Sequence, residues 1–195
     1  MSYSYRIFAF VCALGLPVAA NAAYSPYFSV GGGLYNTNVH FSRGSADVSS
    51  NGLSLGATAG LRINQYLGLE VNGIVNQLRI AAGDMHNDIT FVGIMPGARL
   101  GIKFMGIFYP YVGASIGPSF VLNEASYDGT SQSHTTTSLA YQARVGLMFS
   151  LGGGAGLDIG VRYQNQGRLN ISSRDFAIDG QVNSFNYYIT ASYGF

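Results

Sequence analysis

The chain has 195 residues, a length that suits one domain, and 48% of them are hydrophobic, which is ordinary for a globular protein. The charged fraction is not ordinary: 10%, against about 25% in a typical soluble domain, so a large outer surface avoids charge. A net charge of +1 argues against nucleic acid as the main partner, and 27 glycines with 14 tyrosines and 12 phenylalanines suit close strand packing rather than helices.

In chain order, Arg6 follows a short polar start, Ile7 to Ala20 is nearly all apolar, and Ala20-Asn21-Ala22 has the small-x-small form of a cleavage site. Residues 1–22 are therefore predicted to be an export signal removed after Ala22, leaving residues 23–195 as one domain. The apolar run is too short for a transmembrane helix, about 14 residues against the roughly 20 required. Cys12, the one cysteine, lies inside this run without the context of a lipoprotein cleavage site, so the mature chain is expected to carry no thiol, disulfide or thiolate metal site.

Beyond the signal, alternating apolar and polar residues recur in stretches longer than the usual five or six of soluble strands. They fall at roughly 25–36, 52–63, 66–80, 89–104, 108–122, 137–150, 156–167 and 182–195, eight in all, with no residue run left for a second domain. Tight turns are expected at Asn64-Gln65, Met105-Gly106 and Gly152-Gly153-Gly154, and longer polar loops at 37–51, 81–88, 123–136 and 168–181. Short connections on one side and long ones on the other match an outer-membrane barrel, with periplasmic turns and outer loops.

Parity sorts the side chains onto two faces. One collects Leu53, Leu55, Leu69, Val71, Ile94, Leu100, Val112, Ile116, Leu139, Val145, Ile159 and Ile189; the other collects Ser54, Thr58, Asn72, Asn76, Gly93, Gly97, Ser115, Gln142 and Ser192 with the charged residues. In a soluble sandwich the second face would meet water and be laden with Lys and Glu; glycine and serine there make room inside a narrow tube. Aromatic girdles are expected at the two lipid–water boundaries: Tyr66, Phe104, Phe108, Tyr109, Phe149, Tyr193 and Phe195 on the turn side, and Phe41, Phe91, Phe120, Tyr141, Tyr163 and Phe185 on the loop side. Pro96 and Pro118 fall inside strands and come roughly opposite, which predicts a shared bulge or kink.

The last ten residues, NYYITASYGF, alternate up to the terminus with Tyr187, Ile189, Tyr193 and Phe195 on one face. With the export signal and eight amphipathic stretches, they resemble the small outer-membrane β-barrel family that includes OmpA transmembrane domains, OmpX/Ail-type proteins and opacity-like surface antigens. The resemblance implies an all-β, eight-stranded, antiparallel up-and-down transmembrane barrel in the cell outer membrane, in contact with outer-membrane lipid and lipopolysaccharide and acting as a monomer. It further implies that Tyr187, Ile189, Tyr193 and Phe195 form the signal read by the barrel-assembly machinery.

Inside the tube, parity sets Arg62, Arg99, Lys103, Arg144 and Arg162 against Glu70 and Asp158. Folding the third and fourth stretches about residue 84 or 85 brings Glu70 opposite Arg99, the expected structural plug, because a lone buried charge is unfavourable by roughly 3–5 kcal/mol. Folding about Gly153 brings Arg144 opposite Arg162, like charges that require Asp158, water or an anion to screen them.

Three patterns suggest chemistry and fail on context. Gly113 to Gly117 reads G-x-S-x-G, but Ser115 lies mid-strand with no following helix to form a nucleophile elbow. His40-Phe41-Ser42 superficially resembles the His-x-Ser pair of outer-membrane lipid A deacylases, yet it sits where the first strand enters a loop, with no clearly placed acid. His40, His86 and His134 fall in or beside different loops without metal-ligand spacing. No cofactor is expected. The leading expectation is a structural or surface-interaction protein, adhesin-like or antigen-like, whose loops meet host surface molecules. A lipid hydrolase and a narrow pore are the alternatives.

Overall fold

The structure, a computed structural model, describes residues 24–41, 48–82, 85–127, 130–172 and 177–194. The expected signal at residues 1–22 lies outside them. Eight strands follow in order: β1 (Ser25–Phe41), β2 (Val48–Arg62), β3 (Leu67–Ala82), β4 (Met85–Gly101), β5 (Phe108–Tyr127), β6 (Thr130–Gly152), β7 (Ala155–Ser172) and β8 (Ala177–Tyr193). Each pairs antiparallel with its sequence neighbours, and β8 closes on β1 from Phe28 opposite Tyr193 to Phe41 opposite Gly180. The result is the closed all-β barrel that the alternation predicts.

Closure depends on close backbone approach. A Cβ at Gly31 or Gly33 would run into the carbonyl oxygen of Ile189 or Tyr187 across the β1–β8 seam, so only glycine fits there.

The two faces separate as parity requires. Leu34, Leu53, Leu139 and Val145 point outward with more than half their surface exposed, while Asn76 and Met95 on the inside are 0% exposed. This is a water-soluble fold turned inside out: apolar on the perimeter, polar at the axis.

The turn side matches the expected positions. Asn64 Oδ1 accepts from the amides of Tyr66 and Leu67, both at 2.8 Å, and so closes the β2–β3 turn. Phe104 and Phe108 bridge the β4–β5 turn, and Gly152, Gly153 and Gly154 all take positive φ between β6 and β7.

The loop side differs from expectation. Where they are described, segments 37–51, 81–88, 123–136 and 168–181 are strand; β5 and β6 reach 20 and 23 residues. Beyond the lipid both faces of a strand are wet, so the alternation fades although the ladder continues. Two ladders stop early, however. The β2–β3 pairing ends at Leu53 opposite Gln77, and the β6–β7 pairing ends at Tyr141 opposite Asn165. Just past the second lies a bulge between Asn165 and Arg168, with Gly167 at φ 90° and Asn165 Oδ1 accepting from its amide at 3.0 Å.

Pro96 and Pro118 produce no bulge. The β4–β5 register is the same on both sides of them, and the ladder simply lapses between Gly93–Ser119 and Gly97–Ser115. Two missing proline N–H donors account for a gap without displacement.

Because Val145 faces lipid in the turn-side half of β6, which crosses the hydrocarbon, Val145→Arg is expected to destabilise the barrel by about 2–4 kcal/mol, read from urea unfolding in vesicles.

Candidate functional site

The lumen holds the only dense polar cluster among the described residues, and it is layered. Nearest the turns, aromatic rings and guanidinium groups alternate. The Arg99 guanidinium carbon stands 4.4 Å from the Tyr27 ring centre, 5.2 Å from that of Tyr111 and 5.5 Å from that of Tyr109. Arg62 lies 6.0 Å from the Tyr109 ring and Arg162 lies 4.8 Å from that of Tyr188. Such stacking stabilises a cation more when water is excluded.

Glu70 is the hub of this layer. It forms an ion pair with Arg144 Nη2, accepts from the Tyr27 hydroxyl at 2.8 Å and from Asn72 Nδ2 at 3.2 Å. Arg144 Nη1 also donates to Asn72 Oδ1 at 3.0 Å, and Thr58 donates to the same oxygen at 2.9 Å. A second cluster forms around Asp158, whose Oδ2 accepts from the Tyr111 hydroxyl at 2.6 Å. With its proton so committed, Tyr111 accepts from the Tyr188 hydroxyl 2.7 Å away.

Toward the loops the filling becomes neutral. Ile74, Met95 and Ala140 form a small apolar cluster. Asn76 donates to Gln164 at 3.2 Å, Gln166 to Ser184 at 3.1 Å and Asn165 to Asn183 at 2.7 Å. Tyr35, Phe91 and Val182 complete the seal. The cavity beside Arg162, Asp158 and Thr190 measures about 20 Å³, room for about one water.

These contacts revise several expectations. Glu70 stands opposite Gly97 and Arg99 opposite Gly68, two residues from the register that would set Glu70 across from Arg99. The β3–β4 ladder is centred between residues 83 and 84 rather than at 84 or 85, and the carboxylate reaches across the barrel to Arg144. Arg144 does face Arg162 in the ladder. The like charges are separated chemically: Arg144 is held by Glu70, and Arg162 stacks on Tyr188. Lys103 is exposed at the turn, because β4 ends at Gly101.

Tyr109 and Phe91, assigned to the girdles, are inside the barrel. The signal was available: on β5 and β4 they share odd parity with Ser115 and Arg99. The same rule finds Tyr27, Tyr111 and Tyr188, the lumen tyrosines that composition alone hides among the boundary rings.

Ser115 accepts from Gln142 Nε2 at 2.5 Å in the lumen, mid-strand and with no base beside it. His40, His86 and His134 occupy ladder positions on β1, β4 and β6, opposite Gln181, Ala81 and Asn123. Their side chains, and Ser42, lie outside the described part of the structure. Tyr187, Ile189 and Tyr193 form an outward row on β8, each more than half exposed, and Phe195 lies outside the described residues.

Removing one partner of the central ion pair, as in Glu70→Gln, is expected to lower unfolding stability by about 3–5 kcal/mol. The double variant with Arg144→Gln is expected to lose less than the two single losses combined, measured as a double-mutant cycle in vesicles.

With this geometry, the comparisons with known proteins agree. Neisserial surface protein A is 21% identical, with a TM-score of 0.60 over 86% of this chain and 97% of that one. Ail, the attachment invasion locus protein of Yersinia pestis, is 20% identical, with a TM-score of 0.53 over 87% of this chain and 99% of that one. OprG from Pseudomonas aeruginosa is 13% identical, with a TM-score of 0.55 over 88% and 97%. At these identities the likeness establishes the fold. No curated protein sequence matches the chain. Residues 8–195 match the family described as the outer membrane protein beta-barrel domain, and the chain belongs to that family, an outer-membrane β-barrel protein.

Proposed function

We propose that this barrel is a surface-interaction protein, an adhesin-like or antigen-like scaffold whose active parts are the loop-side ends of its strands. One observation carries this reading. A strand needs about 9–11 residues to cross the hydrocarbon, whereas β5 and β6 have 20 and 23. Roughly half of each stands outside the lipid, and the sequence there, from Asn123 to Ser138, is rich in Ser, Thr, Asn and Gln. A rigid barrel that raises polar sheet above the membrane places contact groups where other molecules reach them.

The lumen supports the same reading. Among the described residues its charges are held by each other and by tyrosine rings, and its loop-side half is packed with neutral side chains, a filling that argues against a pore. Two of the similar structures are named a surface protein and an attachment invasion locus protein. Those names describe those proteins and lend the proposal a precedent on this fold.

The same proposal extends to the partners. Outer-membrane lipid and lipopolysaccharide meet the apolar perimeter, host surface molecules meet the raised strands, and the barrel acts as a monomer. The outward row Tyr187, Ile189 and Tyr193, with Phe195, serves as the signal to the barrel-assembly machinery. Export by the segment 1–22 brings the chain to that machinery.

Shortening the β5–β6 hairpin by deleting residues 123–134 and joining its strands with Asn-Gly is expected to leave the melting temperature of the barrel within a few degrees. Adhesion of bacteria expressing it to host cells is expected to fall several-fold. Unchanged adhesion after each of the four loop-side hairpins is shortened in turn would overturn the reading. Altered lipid A acylation in the same strains would redirect it to hydrolysis.

A further inference from the structure

The β4–β5 turn runs Ile102-Lys103-Phe104-Met105-Gly106-Ile107, and it is apolar where a turn in water is usually polar. Ile102, Phe104, Met105 and Ile107 are 61%, 59%, 76% and 53% exposed. They do not form an isolated patch. Leu100 on β4 and Val112 on β5 belong to the lipid-facing perimeter, and Ile102 and Phe104 continue the same alternate row past the end of the barrel wall. The amide of Ser150 donates to the carbonyl of Ile107 at 2.8 Å, which sets the exposed Leu151 of β6 alongside. The apolar perimeter therefore extends unbroken from the wall into this turn. The other two turns, Asn64-Gln65-Tyr66 and Gly152-Gly153-Gly154, offer no comparable run.

Backbone geometry adds an independent argument. Met105 is the one non-glycine residue with positive φ among the described residues, at 52°. That conformation favours Gly, Asn or Asp. Methionine is strained there and makes no compensating packing, since it is the most exposed of the group. An apolar side chain kept at a position where asparagine would form the turn better needs an apolar surrounding that the protein itself does not supply.

We propose that the β4–β5 turn is immersed in the leaflet on the turn side, with phospholipid acyl chains around Met105, Phe104, Ile102 and Ile107. Lys103, exposed between Ile102 and Phe104, extends its aliphatic stem along this patch and carries its ammonium to a lipid phosphate. The occupant is lipid rather than a periplasmic protein because the patch has no border with the perimeter that lipid already covers. The barrel is consequently sunk deeper at the β4–β5 hairpin than at the Asn64 and Gly153 turns. This placement is independent of what the loop-side strands bind.

The natural sequence contains no tryptophan, so one introduced tryptophan reports its own surroundings. The full chain is folded into phosphatidylcholine vesicles as Met105→Trp and, separately, as Gln65→Trp, with Phe104→Trp as a second reporter should Met105→Trp fold poorly. Expected is blue-shifted emission from position 105, strong quenching by lipids brominated along the acyl chain, and at least a threefold weaker response to iodide than Gln65→Trp shows. Equal iodide quenching at the two positions would overturn the proposal, including in favour of a protein partner, which pure lipid vesicles lack. Met105→Asn gives a second reading by sign. An immersed turn loses stability, so the urea midpoint in vesicles falls; a rise in the midpoint, the response of a turn in water, would overturn the proposal equally.

Discussion

Hydrocarbon offers no hydrogen bonds, and that single deprivation shapes the molecule. Every peptide N–H and C=O at membrane depth must find a partner within the chain, and a sheet accomplishes this only by returning to its own first strand. The β1–β8 seam is thus the critical contact, and the glycines at 31 and 33 are there because any side chain would hold the two strands apart. The lapse in the ladder at Pro96 and Pro118 is tolerated for the converse reason: proline has no N–H to leave unsatisfied.

Closing eight strands fixes the bore, and the bore dictates what fills it. Tyrosine and arginine suit this space because a flat ring and a flat guanidinium stack, and each carries polar atoms at its far end. Arg99 is framed by Tyr27, Tyr109 and Tyr111, and Glu70 holds Arg144 across the barrel. Among the described side chains, charge is confined to the turn-side half of the lumen, and neutral amides with a few apolar chains close the rest. The interior is therefore a structural element in its own right, comparable to the core of a soluble domain but polar.

Period-two alternation made the number of strands, their faces and the turn-side ends readable, because lipid on one face and a crowded axis on the other impose it directly. It failed where that asymmetry ends. Residues 123–136 read as loop because wet faces on both sides of a strand remove the pattern while leaving the pairing. Register was beyond it as well: whether Glu70 stands opposite Gly97 or Arg99 depends on the residue about which β3 and β4 fold, and nothing in the composition there fixes that point. The aromatic residues show a different limit. Tyr109 and Phe91 have the composition of boundary rings, and only strict attention to parity sends them inward. For the lumen charges, sequence named the participants, and three dimensions were needed to pair them.

The early ends of two ladders have a mechanical meaning. Beyond Leu53–Gln77 and Tyr141–Asn165, β7, β8, β1 and β2 remain laddered to one another, and so do β3, β4, β5 and β6, but nothing in the described ladders ties the first group to the second. Ser138, donating to the carbonyl of Gln166 at 2.9 Å, is a stitch at the base of one slit. The crown is thus two separate palisades on a single closed ring. Leaning of one toward or away from the other would break no rung of the ladders in the hoop below, so the pairing that closes the membrane-spanning wall is uncoupled from the spacing of the loop-side ends.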